Sequence, residues 1–198
     1  MLRRILTAAA GVALAAITFT APPASATPAY ADTASSLAAP RNITVSGGGE
    51  YSSYVPQAIE IWNSHVPNIR MSQVPSGGNI RITVGSGGGS RATIGHGSGT
   101  IYLDRVQINQ GYSPLRVVAH EMGHSLGLRD NYNGSCTILM SGGSAGTACR
   151  NPNPSAAEAN WVNQSFARGF HAESGKDSPI EWSDDSWPAP VRALATVS

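Results

Sequence analysis

Ser113-Pro114-Leu115-Arg116-Val117-Val118-Ala119-His120-Glu121-Met122-Gly123-His124-Ser125-Leu126-Gly127-Leu128-Arg129-Asp130 is the stretch on which the fold turns. Ser113 can cap a helix and Pro114 can open one, because the first turn needs a side-chain acceptor and loses nothing to a missing N–H. The helix is predicted to run to about Leu126. At roughly 100° per residue, Leu115, Val118, Met122 and Leu126 share one face while His120 and His124 share the opposite one. The apolar face can then bury itself, and the histidines can face a cleft. Gly127 follows the last apolar residue, where a glycine accepts the left-handed conformation that ends a helix. The chain can turn back beneath the two rings and deliver Asp130.

Two neutral imidazoles one turn apart can both meet a tetrahedral zinc ion, at nitrogen distances of about 2.0–2.1 Å. A third protein ligand is then needed, and three side chains are candidates: Asp130 close downstream, Glu158 on a later helix and His96 in a glycine-rich segment. Proximity after the Gly127 turn favours Asp130. Three protein ligands leave a position for water, and Glu121, one residue past the first ligand, is placed to act as its general base. With five histidines in the chain, a chance His-Glu-x-x-His arises in on the order of one such sequence in several hundred, before a helix, a glycine and a carboxylate are also required. His65, His96 and His171 are isolated, and a lone histidine is more often a surface or hydrogen-bonded core residue than a ligand. Two rival readings stay open: recruitment of Glu158 in place of Asp130, and a secreted binding or inhibitor module whose metal is structural.

On either side of this helix the pattern alternates between turns and short apolar runs. Ile43 and Val45 alternate like a strand, Gly47-Gly48-Gly49 makes a turn, and Val55, Ala58, Ile59 and Trp62 fall at helical spacing between Tyr54 and His65. Ile69 to Val74, Ile80 to Val84 and Thr100 to Leu103 read as strands of one sheet. Ser76-Gly77-Gly78 and Ser86-Gly87-Gly88-Gly89-Ser90 between them lack the Gly-Lys-Ser/Thr of a phosphate loop and read as turns. Thr100 to Leu103 is a candidate edge for an added peptide strand. Ser155 and Glu158 form a capping box for a last helix through Ala167. The fold class predicted is α+β, a mostly N-terminal twisted sheet backed by helices, with a cleft along the histidine helix.

The chain has 198 residues and a formal net charge of +1, which suits one domain and offers no basic field for nucleic acid or anionic lipid. Met1 to Ala26 has arginines at 3 and 4, an apolar run from Ile5 to Ala21 and then Ala24-Ser25-Ala26, the form of a cleavable secretory signal. A membrane anchor is the competing reading, but the run is short and ends in prolines. Residues 27–40 read as a propeptide or disordered N-terminus, 41–170 as the folded domain, and 171–198 as an appended extension without periodicity. In an exported chain the only two cysteines, Cys136 and Cys149, most naturally form a disulfide, since thiolate zinc sites usually bring four ligands. A loop of that size contributes about 3 kcal/mol. Oxidising space, protein or peptide partners and a monomer are the expectations.

The pattern His120-Glu121-x-x-His124-x-x-Gly127-x-x-Asp130, followed by Leu139-Met140-Ser141-Gly142-Gly143, resembles the metzincin clan with aspartate as third ligand, and within it the snapalysin family of small extracellular neutral proteases. The resemblance extends through Asn131-Tyr132, the cysteine pair and Asn151-Pro152-Asn153-Pro154, covering roughly residues 42 to 169. It implies a zinc endopeptidase with one Zn2+, Met140 in a tight turn as an apolar floor under the metal, Tyr132 as a hydrogen-bond donor to the reacting oxyanion, and a preference for an aromatic residue just after the cleaved bond. It also implies Ca2+ near the start of the active-site helix. Ser113 and Leu115 stand there, and because an aliphatic side chain cannot coordinate calcium, the case for Ca2+ is weak.

Overall fold

The computed structural model describes residues 39–167. The expected signal peptide, nearly all of the 27–40 segment, the 171–198 extension and His171 lie outside the described residues. Strand β1 spans Arg41–Gly47, and a 3-10 segment, Gly49–Tyr54, leads into α1, Val55–His65. Strands β2 (Ile69–Gln73), β3 (Ile80–Gly85), β4 (Arg91–Ala92) and β5 (Gly99–Asp104) follow. Helix α2 is Arg105–Asn109, α3 is Pro114–Ser125, a second 3-10 segment is Leu139–Ala145, and α4 is Ala156–Ala167.

The five strands form one sheet in the order β2-β1-β3-β5-β4. Neighbours are parallel except β4, which runs antiparallel to β5 at the edge. This is the predicted α+β class. Parallel neighbours cannot be joined by a tight hairpin, and α1 supplies the crossover from β1 to β2. Alternation works as read: Ile43, Val45, Ile69, Met71, Ile80, Ile82, Ile101 and Leu103 are buried on one face, while Arg70, Ser72, Arg81 and Thr83 are exposed on the other. Against the apolar face lie Val55, Ala58, Ile59 and Trp62 of α1 with Val117, Val118, Met122 and Leu126 from the region of α3, in one continuous core. Trp62, fully buried, joins the two helices directly by donating its indole N–H to the Ala119 carbonyl at 3.0 Å.

One feature of the sheet departs from expectation. Thr100 to Leu103 is no edge: Ile101 and Tyr102 pair with Ala92 and Arg91 on one side, while the whole of β5 pairs with β3 on the other. The edge on that side belongs to β4, whose two residues are too few to show a period. At the opposite edge the Asn63 carboxamide donates to the Met71 carbonyl (2.9 Å) and accepts from its N–H (2.7 Å), standing in for a further strand.

The glycine-rich turn after β3 is a turn, as read. It is organised by Asp104, whose buried carboxylate accepts from the N–H groups of Gly87 (2.7 Å), Gly89 (2.9 Å) and Val106 (2.9 Å). The last of these caps α2, a five-residue helix too short for periodicity to reveal. Gly47, at φ +93°, has a geometric reason to be glycine: a Cβ there would sit 2.1 Å from the Ile82 carbonyl oxygen. Among the described residues no helix is long and apolar enough to cross a membrane.

Replacing Trp62 by Phe keeps most of the apolar contact but leaves the buried Trp62–Ala119 bond unmade. The expected loss is about 1–3 kcal/mol of stability, measured by urea unfolding; unchanged stability would mean that this bond does not tie α1 to α3.

Candidate metal centre

Helix α3 begins and ends on the signals read from its sequence. Ser113 Oγ accepts from the Arg116 N–H at 3.5 Å, and Pro114 occupies the first turn. At the other end Gly127 takes φ +102°, with its N–H bonded to the His124 carbonyl (2.8 Å) and that of Leu128 bonded to the Gly123 carbonyl (3.0 Å). This paired arrangement satisfies carbonyls that a helix end otherwise strands. A Cβ on Gly127 would also press on the Trp161 ring at 3.1 Å and the Gly95 carbonyl at 3.2 Å.

The turn at Gly127 has a chemical consequence. It brings the Leu128 carbonyl back to His124, whose Nδ1 lies 2.8 Å from that oxygen, while Nδ1 of His120 lies 3.0 Å from the Leu139 carbonyl. A peptide oxygen can only accept, so both Nδ1 atoms carry the proton and each neutral ring presents its lone pair at Nε2. The two Nε2 atoms are 3.1 Å apart, and Asp130 Oδ1 lies 3.3 Å from one and 3.5 Å from the other. Asp130 Oδ1 is buried and has no hydrogen-bond donor. Three electron-rich atoms aimed at one point repel one another unless a cation lies between them. Two imidazoles and a carboxylate suit Zn2+ and leave a coordination position open.

His120, His124 and Asp130 are the one group of three or more potential ligands brought together among the described residues. Glu158 stands elsewhere and is otherwise engaged: its Oε2 accepts from the N–H groups of Ser155 (2.6 Å) and Leu139 (3.1 Å), and its Oε1 from that of Met140 (2.8 Å). The Ser155 bond and the reciprocal Glu158 N–H to Ser155 Oγ bond (3.3 Å) complete the expected capping box. His96 packs its ring toward Phe166 and Trp161, with centroids 5.9 and 6.5 Å away. Burial, with the charge of Arg41 adding, pulls its pKa below the usual histidine range. His65 is an exposed residue at the end of α1.

The apolar face of Val118, Met122 and Leu126 is buried in the core as expected, and the histidine side is enclosed as well. Every residue from Arg116 to Ser125 is buried, and both imidazoles are 0 % exposed. The 3-10 segment Leu139–Ala145 packs against the histidine side of α3. Its Gly142, at φ +53°, is tightly enclosed: a Cβ there would lie 3.1 Å from the His120 ring and 3.3 Å from the Tyr132 ring. Glu121 is likewise fully buried. Tyr132 is 49 % exposed, with its ring on the Gly142 side of His120.

Met140 lies in that same segment, buried under α3. A Cβ on Gly123 would lie 2.7 Å from its sulfur and 3.2 Å from the Trp62 ring, so the second residue between Glu121 and His124 must be small. That requirement could not be read from the motif, where the position is free. The Met140 carbonyl accepts from the Asn131 N–H at 2.7 Å and so ties the residue beside Asp130 to the 3-10 segment. Cys136 and Cys149 form the expected disulfide, with Cα atoms 5.5 Å apart. At the start of α3, where Ca2+ ligands would be sought, Ser113 Oγ caps the helix and Leu115 packs against the core.

Gly127→Ala should cost about 1–3 kcal/mol, because alanine is strained at this φ. Chemical denaturation of the purified variant checks this, and an unchanged midpoint would remove Gly127 from the devices that place Asp130.

Comparison with known proteins places this geometry in context. The extracellular small neutral protease of Streptomyces lividans is 41 % identical over 128 residues, covering 64 % of this chain and 56 % of that protein. Its counterpart from Streptomyces caespitosus is 44 % identical over 119 residues, covering 58 % and 87 %. The chain therefore spans little more than half the length of the S. lividans relative. Among solved structures, myroilysin is matched at 20 % identity with a TM-score of 0.44, covering 65 % of this chain and 94 % of that one. An archaemetzincin from Methanopyrus kandleri is matched at 12 % identity with a TM-score of 0.43, covering 66 % and 96 %. The family described as Streptomyces extracellular neutral proteinase (M7) matches residues 42–169. That span includes nearly all of the sheet, the cluster of His120, His124 and Asp130 and the last helix, and the chain belongs to this family.

Proposed function

We propose that this chain is a secreted zinc endopeptidase that hydrolyses peptide bonds in extracellular proteins. The observation that carries the reading is the convergence of the His120 and His124 Nε2 atoms on Asp130 Oδ1, with both Nδ1 protons committed to backbone carbonyls. Secretion is supported by the signal-like Met1 to Ala26 and by relatives named as extracellular proteases. The working unit is a single domain over residues 41–170, acting as a monomer on protein or peptide substrates.

His120, His124 and Asp130 would hold the metal. Bound there, zinc supplies a Lewis acid that polarises a carbonyl and brings water ionisation toward neutral pH. Glu121, beside the first ligand on α3, takes the proton of the attacking water as general base and passes it to the departing amine as general acid. Tyr132 reaches toward the site from the Gly142 side, where its phenol can donate to the substrate oxygen as negative charge builds there. Met140 closes the site from below with an apolar side chain. The resemblance to snapalysin adds a preference for an aromatic residue just after the scissile bond.

Zinc content and casein hydrolysis of wild type, Glu121→Gln and Asp130→Ala test the assignment. Wild type should carry one zinc and hydrolyse casein, Glu121→Gln should keep zinc and lose turnover, and Asp130→Ala should bind zinc weakly. Full zinc retention and activity in Asp130→Ala would move the third ligand elsewhere. No hydrolysis by any form would favour a binding module.

Tyr132→Phe should lower kcat by about 100-fold with little change in KM, the scale for one lost oxyanion donor. Peptides differing only after the scissile bond should be cut fastest with Phe or Tyr there. An unchanged kcat would restore Tyr132 to an ordinary surface residue, and equal rates across the peptides would discard the aromatic preference.

A further inference from the structure

Arg116 lies on α3 one turn before His120 and is 3 % exposed. Its guanidinium donates to the carbonyls of Ile138 (2.9 Å), Leu139 (3.2 Å) and Asn151, and to Ser141 Oγ (3.1 Å). Burial pulls its pKa below the ordinary arginine value, and the negative charge of Glu158 works against that shift. Glu158 meets the same stretch of chain through its amides, accepting from the N–H groups of Leu139 and Met140.

Taken peptide by peptide, the arrangement is a clamp. The group joining Ile138 to Leu139 has its carbonyl on Arg116 and its N–H on Glu158. The next group, joining Leu139 to Met140, has its carbonyl on Arg116 and its N–H on Glu158 again. In a trans peptide the C=O and N–H point in opposite directions, so two consecutive peptide dipoles lie between a cation at their oxygen ends and an anion at their amide ends. Charge-assisted hydrogen bonds of this kind are roughly twice as strong as neutral ones. The Leu139 carbonyl is also the acceptor for His120 Nδ1, so it receives two donors, one from Arg116 and one from the ring. The neighbouring Met140 carbonyl holds the Asn131 N–H, next to Asp130.

We propose that Arg116 and Glu158 are positioning residues for the metal site: by fixing the two peptide groups between Ile138 and Met140 they aim the Leu139 carbonyl at His120 and hold its Nε2 lone pair on the point shared with His124 and Asp130. The proposal rests on the reading of His120 as a metal ligand. Outer partners that orient a ligating histidine change metal affinity when removed even though they never touch the ion. His124 provides an internal reference, because its Nδ1 partner is the Leu128 carbonyl outside the clamp.

The test uses the full chain as wild type, Glu158→Gln, Arg116→Lys and His120→Ala. Three quantities are measured: zinc affinity by competition with a chelator, the two histidine ring N–H resonances of the zinc-loaded protein, and stability in urea. Glu158→Gln is isosteric but removes the negative charge together with one of the two accepting oxygens, while Arg116→Lys keeps a cation but loses the fork that reaches several carbonyls at once. Each should bind zinc about 10–100-fold more weakly than wild type. In both, the His120 ring N–H resonance should shift or broaden while that of His124 stays in place. Folded variants with wild-type zinc affinity and an unmoved His120 resonance would overturn the proposal and leave the clamp a purely structural device. If wild type takes up no zinc, or His120→Ala binds it as wild type does, the reading of the site itself fails, and the two failures are told apart.

Discussion

Two hydrogen bonds organise this protein: His120 Nδ1 to the Leu139 carbonyl and His124 Nδ1 to the Leu128 carbonyl. Each selects a tautomer, and together they leave two lone pairs 3.1 Å apart with a carboxylate oxygen close to both. Bringing three acceptor atoms together in a buried place is unfavourable. A divalent cation reverses that sign, so that binding free energy stabilises the fold as well as the site. Until a cation binds, the two Nδ1 hydrogen bonds and the surrounding packing hold the groups together.

The frame that does this is built around α3, buried on every side from Arg116 to Ser125. The sheet and α1 cover one side, with Trp62 reaching α3 through its indole N–H. The segment after the helix packs against the other. It leaves α3 through the Gly127 turn, lends the Leu128 carbonyl to His124, places Asp130, and returns to lend the Leu139 carbonyl to His120. Its outer part is fastened by the Cys136–Cys149 disulfide and by the Asn151 side chain on the Cys136 carbonyl. Arg116 and Glu158 then hold the returning strand of chain from its carbonyl and amide sides.

Much of this was legible in the residues, because the signals were local. Ser113 and Gly127 bound α3 and Ser155 with Glu158 opens α4 through hydrogen bonds that span only a few positions, while Pro114 fits the first turn because no N–H is needed there. The alternation of Ile43 and Val45, or of Ile80 and Ile82, follows from a strand having one buried face. Features without such a signal were not legible. Helix α2 and strand β4 are too short to show a period, and β4 is what turns Thr100 to Leu103 from an edge into an interior strand. Arg116 carries no local signal, since its acceptors lie 22 or more positions away in the chain.

The sequence by itself determined the helix that carries His120, Glu121 and His124, its two ends, the nearness of Asp130, the disulfide partners and the α+β class. Each depends on local geometry or on the chemistry of a few neighbouring residues. Only the tertiary structure decided that the histidines are enclosed instead of facing an open cleft, that Glu158 serves peptide amides, and that Gly123 and Gly142 leave space for Met140 and the rings. Those outcomes depend on which distant segment packs against α3. Helical periodicity can say which residues share a face, but what covers that face is settled by long-range contacts.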